Sequence, residues 1–259
     1  MRYTRGTLLV ERTKYQERRE THLGAGSGLK NNNTNMISIC CPTRGRPELF
    51  KKMCLSVLNT ASEPNDIEII SYHDNDDTSQ YEYIGNHKEI VGERIVLSQM
   101  WNECQKIATG EIYGFVADDL LFKTKGWDIR VKETFDASKD KNMLVYPNDE
   151  KYGINNSIVG FLHKNWIEAV GYFLPPYFSA EYIDGWIFNV AKRINRRVFL
   201  NDVIVIHSSF ESGKEPMDET HREYLMRKKR DSVKRLYYSK GEEREKNARC
   251  LLEFINNFV

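Results

Sequence analysis

The chain has 259 residues, 40% of them hydrophobic and 12% aromatic, and this composition excludes wholesale disorder. No apolar run approaches the roughly 18–20 residues that span a bilayer, and the N-terminus lacks the apolar segment of a signal peptide. The five cysteines follow no disulfide spacing, and the adjacent Cys40 and Cys41 are interpreted as buried small hydrophobes. We therefore expect a soluble cytoplasmic protein.

The formal net charge of +1 is unevenly distributed along the chain. Basic residues are in excess at 1–35 and 212–259, and acidic residues are in excess between these segments. The first segment ends in a Gly/Ser/Asn tract, which is typical of a flexible lead-in. We predict a flexible segment at 1–35, an α/β domain at 36–210 and a charged helical extension at 211–259.

Short apolar runs alternate with helical patterns in the central segment. The predicted strands are 36–42, 66–74, 92–98, 111–119, 143–147, 157–164 and 203–207. Helical patterns begin at Pro47, include Met100, Cys104 and Ile107, and recur near 127–135, 165–171 and 186–194. Strands that alternate with helices predict a mainly parallel sheet with ligands at the carboxyl ends of its strands.

Carboxylates follow two of the predicted strands. Asp118 and Asp119 end the fourth strand, where adjacent carboxylates are costly unless water or a cation neutralises them. Carboxylate oxygens suit Mg²⁺ or Mn²⁺, which bind the diphosphate of a nucleotide; a helix cap or turn is the alternative role. Asp74 and Asp76 follow the second strand, where an acidic side chain can bind a base or ribose, or can simply form a turn.

Cationic and hydroxyl side chains follow the first strand, just before a predicted helix start. Pro42, Thr43, Arg44 and Arg46 occupy this exit. One hydroxyl and two guanidiniums suit an anionic ligand, with a solvated turn as the alternative.

An ordered set of motifs resembles the family-2 glycosyltransferases of the GT-A fold. The stretch 97–120 resembles the family segment that runs from a Ser-x-x-x-Asn helix start, through Ala-x-Gly-Glu, to an Asp-x-Asp strand. The matching residues are Ser98, Asn102, Ala108, Gly110, Glu111, Asp118 and Asp119. The stretch 37–59 is similar to the family's first strand and helix, and the resemblance covers roughly 36–210.

The resemblance implies a GT-A, Rossmann-like α/β fold with a mainly parallel sheet flanked by helices. It also implies a nucleotide-sugar donor, most often a UDP-sugar, and Mn²⁺ or Mg²⁺ on its diphosphate. By this resemblance, Asp119 and His207 are the expected metal ligands. Asp118 is expected near the ribose or sugar, and Asp74 on the base.

Three further donor contacts follow from the same resemblance. Asn102 matches the family's helix asparagine, and Gly160 matches a glycine at which the backbone approaches the sugar; a strand bulge is the alternative. The family's Arg before that asparagine is Trp101 here, so one diphosphate contact is missing or comes from Arg94.

Inverting members of the family use a carboxylate as general base to take the proton of the acceptor hydroxyl. The stretch 181–186 (EYIDGW) occupies the place of the family's acidic motif. Asp184 is the preferred base, with a helix N-cap as its alternative role, and Glu181 is the reserve. The family's two acids are adjacent and these two are not, so inversion is an expectation that depends on this assignment.

The compact core resembles small glycosyltransferases of bacteriophages and large viruses, some of which modify hydroxymethylated DNA bases. The acceptors left open are a saccharide, a lipid-linked sugar, a protein or a modified nucleic acid, with a saccharide or hydroxymethylated DNA as the first candidates. The basic segment 226–240 suits phosphate contacts, or else forms a solvated amphipathic helix. Two other functions stay open: a sugar nucleotidyltransferase, whose usual Gly-rich loop is lacking at 42–47, and an inactive nucleotide-sugar- or nucleic-acid-binding protein.

Overall fold

Strands and helices alternate through the part of the chain that the computed structural model describes, which is residues 36–156, 158–208 and 217–258. The strands described there, β1 to β8, are Ile37–Pro42, Ile67–Asp74, Asn86–Gly92, Ile112–Phe115, Leu120–Phe122, Leu144–Asn148, Gly160–His163 and Arg197–His207. The helices α1 to α8 are Pro47–Thr60, Leu97–Ile107, Trp127–Asp136, Lys164–Val170, Ile183–Arg193, Glu219–Arg230, Val233–Ser239 and Gly241–Asn257. The predicted flexible segment 1–35 lies outside the described residues.

The strands form one sheet in the order β3-β2-β1-β4-β7-β6-β8-β5. β1 pairs in parallel with β2 and β4, and β3 pairs in parallel with β2. β7 runs antiparallel to both of its neighbours, and β5 runs antiparallel to β8. The α/β fold class is confirmed, although antiparallel pairings occupy more of the sheet than the alternation of elements predicts.

Two apolar layers cover the faces of the sheet. On one face, α1 and α3 contribute Phe50, Met53 and Trp127, all fully buried. On the other face, α5 contributes Trp186 and α8 contributes Leu251, also fully buried at 0% exposure. The C-terminal extension therefore packs on the core through α8, and its described part contains the three helices α6, α7 and α8.

The strand predicted at 92–98 is wrong. The third strand precedes it at Asn86–Gly92, and Leu97 already begins α2. β3 is an edge strand in which no residue is buried, and Val91 is 60% exposed, so it has no buried apolar run for sequence analysis to detect. β5, directly after Asp119, is too short to show a periodic signal.

None of the described helices has the length and apolar character that crossing a lipid bilayer requires.

Candidate active site

The turn after β1 is tied to both neighbouring strands. The backbone N–H of Thr43 donates to the carbonyl of Tyr72 at 3.1 Å, and its hydroxyl donates to Asp118 Oδ2 at 2.8 Å. Gly45, with φ of 65°, donates its N–H to Asp77 Oδ2 at 2.9 Å. These bonds fix the turn so that Arg46, the residue before α1, reaches Asp118, with Nη1 3.3 Å from Oδ1.

Asp118 and Asp119 follow β4 and lie almost wholly buried, at 5% and 8% exposure. Burial raises the pKa of Asp118 to about 6, and the neighbouring Asp119 adds to this while Arg46 opposes it. His207 ends β8 opposite Leu120, so its Nε2 lies 2.8 Å from Asp119 Oδ1. The pairing of β5 with β8 therefore brings together two groups that are 88 residues apart.

Asp74 ends β2 and is only 3% exposed. Its Oδ2 accepts from Arg44 Nη1 at 3.1 Å and lies 3.3 Å from Arg94 Nε. Burial raises the pKa of Asp74, although Arg44 and Arg94 oppose the shift. Its second oxygen, Oδ1, is buried without a hydrogen-bond partner, and buried polar atoms in folded proteins nearly always have one. This orphaned acceptor is the feature of the site that most directly indicates a bound donor group.

Helix α6 lies over these strand ends. Asp218, its N-cap, pairs with Arg46 through Nε–Oδ2 at 2.6 Å, and Thr220 Oγ1 donates to the carbonyl of Arg44 at 2.7 Å. Glu223 pairs with Arg94, and its Oε2 lies 3.9 Å from Arg44 Nε. The arginines of the site are thus shared between the sheet and the C-terminal extension.

Asp184 lies in the first turn of α5 and is partly exposed to the cavity described below. Desolvation by the surrounding protein raises the pKa of Asp184 to about 6, opposed by the backbone N–H of Gly185 and by His207. Glu181 instead forms an ion pair with Lys228 of α6. Of the two carboxylates in this motif, Asp184 is the one without a cationic partner in the described part of the chain.

A cavity of about 680 Å³, a volume typical of ligand sites, unites most of the predicted residues. Its walls include Pro42, Thr43, Arg44, Arg46, Asp74, Asp118, Asp119, Glu181, Asp184 and His207.

Four predicted residues lie outside these walls. Asp76 is exposed and forms an ion pair with Arg44. Arg94 contacts Asp74, with its Nε 3.3 Å from Asp74 Oδ2. Asn102 accepts from the backbone N–H groups of residues 173 and 174 and donates to the carbonyl of Leu174 at 2.9 Å. This side chain fixes the aromatic loop through three hydrogen bonds to its backbone.

Gly160, the fourth of these residues, lies where the surrounding side chains leave no room for a Cβ atom. A Cβ at this position would lie 2.7 Å from Leu144 Cδ1 and 2.8 Å from Phe115 Cζ. The absence of a side chain therefore lets β7 pack closely against its neighbours in the sheet.

The metal prediction can be tested against the geometry of Asp119 and His207. Ligand atoms at right angles around an octahedral ion lie about 3 Å apart, since each is about 2.1 Å from the metal. The 2.8 Å between His207 Nε2 and Asp119 Oδ1 fits that spacing. In residues 36–156, 158–208 and 217–258, no group of three His, Cys, Asp or Glu side chains is placed to hold a metal ion. Asp119 and His207 would therefore supply two ligands to a divalent ion, and its remaining ligands would have to come from a bound molecule or water.

Residues of α6 and of the loop before β7 complete the cavity, and sequence analysis missed them. They include Lys151, Tyr152, Thr220 and Tyr224; Arg227, also in the wall, lies in the basic segment 226–240 that the sequence indicates. No local pattern indicates which surface α6 covers, because its contacts with the turn after β1 span more than 170 residues of chain. The N-cap aspartate before α6 is the single local signal of this region.

Comparisons with known proteins identify the fold. No family model matches the chain, and no curated protein sequence does. One similar solved structure is mannosyltransferase PcManGT from Pyrobaculum calidifontis in complex with GDP-Man and Mn²⁺. It matches this chain with a TM-score of 0.57 at 11% sequence identity, and the match covers 86% of this chain and 74% of the PcManGT chain. S. aureus TarS has a TM-score of 0.54 at 14% identity, covering 74% of this chain.

The chain spans only 43% of that TarS structure. The TarS 1-349 fragment in complex with UDP-GlcNAc is also similar, with a TM-score of 0.51 at 14% identity, covering 73% of this chain and 64% of the fragment. At such identities the similarity establishes the fold, which this chain shares with glycosyltransferases.

Proposed function

We propose that this protein is a glycosyltransferase that moves a sugar from a nucleotide-sugar donor, with a UDP-sugar as first candidate, to an acceptor hydroxyl. The observation that carries the proposal is the convergence of Asp74, Asp119, Asp184 and His207 on one cavity. The fold supports it, because similar structures contain UDP-GlcNAc or GDP-Man with Mn²⁺.

Asp74 is the proposed contact for the nucleotide base. Its unpartnered Oδ1 needs a hydrogen-bond donor, and the ring N–H of uracil or guanine supplies one. Arg44 and Arg94 hold the other oxygen and keep the carboxylate oriented.

Arg46, Asp119 and His207 are the proposed diphosphate end of the site. Arg46 offers a guanidinium that suits bidentate binding of a phosphate. Asp119 and His207 would hold Mn²⁺ or Mg²⁺, which supplies neutralisation of the charge on the departing nucleoside diphosphate. Asp118, bonded to Thr43 and Arg46, keeps this end of the site in place.

Asp184 is the proposed general base, with Glu181 as reserve. A carboxylate with a pKa of about 6 is ionised at neutral pH and remains a useful proton acceptor. As the acceptor oxygen forms its bond to the anomeric carbon, the bond from that carbon to the diphosphate breaks and Asp184 takes the hydroxyl proton. Attack from the face opposite the leaving group inverts the anomeric centre.

The acceptor is a saccharide or a hydroxymethylated DNA base, as in the bacteriophage enzymes that the sequence resembles. The basic segment 226–240 lies in α6 and α7, beside the proposed base. Contact of this segment with an anionic acceptor is part of the proposal.

The proposal is tested by incubating the protein with UDP-glucose, UDP-GlcNAc or GDP-mannose and Mn²⁺, and measuring release of the nucleoside diphosphate. We expect release from one donor, and at least ~100-fold slower release in Asp184→Asn. Asp202→Asn makes the same change at an exposed carboxylate outside the cavity; it is the matched control and should keep the wild-type rate. Pyrophosphate release from a nucleoside triphosphate and a sugar phosphate would instead identify a nucleotidyltransferase.

A further inference from the structure

A second, more open cavity of about 1140 Å³ adjoins the first. It lies between the start of α5 and the helices α6 and α7, and its walls include Lys229, Lys234 and Arg235. Glu181, Tyr182 and Tyr238 line both cavities. The two cavities therefore share a wall, and two residues of that wall, Glu181 and Tyr182, come just before Asp184 in the chain.

The second cavity is strongly basic. Its walls carry four cationic side chains against one carboxylate, Glu181, which already pairs with Lys228. Lys229, Lys234 and Arg235 are exposed, and within the described part of the chain they form no ion pair. Most other cations near the site, such as Arg44, Arg46 and Arg94, are paired with carboxylates. A group of unpaired cations beside a catalytic cavity favours an anionic ligand.

Aromatic side chains form the rest of the shared wall. Tyr238 is 65% exposed, and the ring of Tyr182 packs on Tyr237 with centroids 4.9 Å apart. Exposed tyrosine rings offer apolar faces to a sugar ring and a hydroxyl for hydrogen bonding. The wall thus suits a sugar or polyol unit, and the cations beyond it suit a charged substituent.

We propose that the second cavity is the acceptor site and that the acceptor carries a phosphate group near its reactive hydroxyl. The phosphate contacts Lys229, Lys234 and Arg235, and the hydroxyl reaches past Glu181 and Tyr182 to Asp184. This inference rests on the proposed function and adds to it the chemical class of the acceptor.

The charge distribution favours a compact phosphate over a nucleic acid. The three cations lie within two short helices, and the chain as a whole has a net charge of +1 and a pI of about 7.6. Proteins that bind nucleic acids typically carry an extended basic face and a domain pI above about 9. Glu219 and Glu223 on α6 would also repel a long phosphate backbone that followed that helix.

The test is calorimetric titration of the full chain with glucose 6-phosphate and with glucose, which differ only in the phosphate. We expect glucose 6-phosphate to bind at least ~10-fold more tightly, and the double variant Lys234→Ala/Arg235→Ala to remove that preference. The double variant is decisive, because a preference for glucose 6-phosphate that arose from binding in the first cavity would persist in it. The matched control is Lys246→Ala/Arg249→Ala, which removes two exposed cations of α8 outside both cavities and should bind as wild type does.

Equal affinity for the two sugars, or wild-type affinity in the first double variant, would overturn the inference. Binding of a ten-nucleotide single strand with steep salt dependence, without binding of glucose 6-phosphate, would overturn it in favour of a nucleic acid. UDP binding with Mn²⁺, measured on the same samples, should be unchanged in both double variants. If the wild-type protein does not bind UDP, the proposed donor site is contradicted. Failure of the donor site and failure of the acceptor inference are therefore distinguishable.

Discussion

Arg46 and Asp218, which are 172 residues apart, form a two-bond ion pair over the candidate donor site, with Nε–Oδ2 at 2.6 Å and Nη2–Oδ1 at 2.9 Å. Asp218 also caps α6 by accepting from the backbone N–H of His221 at 2.7 Å. Burial raises the pKa of Asp218, but the bonds from Arg46 and His221 outweigh it and leave the pKa below its ordinary value. One ionised carboxylate thus anchors α6 and occupies the guanidinium that we assign to the donor diphosphate.

Substitution Asp218→Asn should tighten binding of a nucleoside diphosphate roughly fivefold, because the diphosphate no longer competes with a carboxylate for Arg46. Asparagine caps a helix about as well as aspartate, so the cap is kept and the change in thermal stability reports the ion pair with Arg46. Asp218→Ala is the matched control for the cap and should lose about 1 kcal/mol of unfolding free energy. Weaker nucleotide binding by Asp218→Asn would show that Asp218 supports the donor site instead.

The raised pKa of Asp184 predicts both activity and stability as functions of pH. The rate of transfer should fall as the pH drops through about 6, because the base becomes protonated. A folded-state pKa above the unfolded value of 3.8 means that the folded state binds the proton more tightly. The contribution of this group to stability therefore rises as the pH falls from about 6 to 4.

At pH 7.5, Asp184→Asn should accordingly be more stable than wild type by on the order of 1 kcal/mol, measured by urea denaturation. A rate that stays constant down to pH 5 would rule out Asp184 as the base.

Removing the metal ion and removing its proposed ligand Asp119 should weaken nucleotide binding to the same extent. Asp119→Ala should weaken Mn²⁺-dependent nucleotide binding by at least 10–100-fold, the range that even indirect disruption of metal sites produces. EDTA should have the same effect on the wild-type protein and little further effect on the variant. Mn²⁺-dependent binding that persists in Asp119→Ala would require a different metal site.

Asn102 should affect stability and not donor binding. Its carbonyl oxygen accepts from the N–H groups of Phe173 and Leu174 at 3.0 and 2.8 Å, and its amide donates to the carbonyl of Leu174. Asn102→Ala leaves these backbone groups unpaired and should cost about 1–3 kcal/mol of unfolding free energy. Donor affinity at a temperature where the variant is folded should be unchanged; a large drop would restore the nucleotide role that the family resemblance implies.

Gly160 and Gly185 provide a matched pair for packing. Gly160→Ala should cost about 1–3 kcal/mol, because the new Cβ would meet Leu144 Cδ1 at 2.7 Å. Gly185, in the first turn of α5, has nothing within 4 Å of an added Cβ, so Gly185→Ala should be neutral or stabilising by up to about 1 kcal/mol. Equal melting temperatures for the two variants would contradict the packing role of Gly160.

Residues at strand ends were predictable because parallel strands place their carboxyl ends at one edge of a sheet. For this reason Asp74 at the end of β2 bonds Arg44, and Asp118 after β4 bonds Thr43, both in the turn after β1; their order along the chain matched a known motif order. The position of Asp184 at the start of a helix was also predictable, because α5 has a clear amphipathic pattern; its role as the base stays a prediction.

Features that depend on distant packing were not predictable. The edge strand β3 has no buried run, and its placement at 92–98 was wrong for that reason. The contact between Arg46 and Asp218 could not be predicted from any local pattern, because the charges of α6 fit a solvated helix equally well. Asn102 matched a family motif, yet its hydrogen bonds go to a loop whose course the sequence does not reveal.

The central claim is that the cavity at these strand ends binds a nucleotide-sugar through a metal ion. The most direct measurement is calorimetric titration of UDP, GDP and UDP-GlcNAc into the protein with Mn²⁺ and with EDTA. We predict a Kd of roughly 1–100 μM for one nucleotide with Mn²⁺, and a large loss of affinity in EDTA and in Asp74→Asn. The absence of binding by all three nucleotides to the folded protein would contradict the claim and leave only a shared fold.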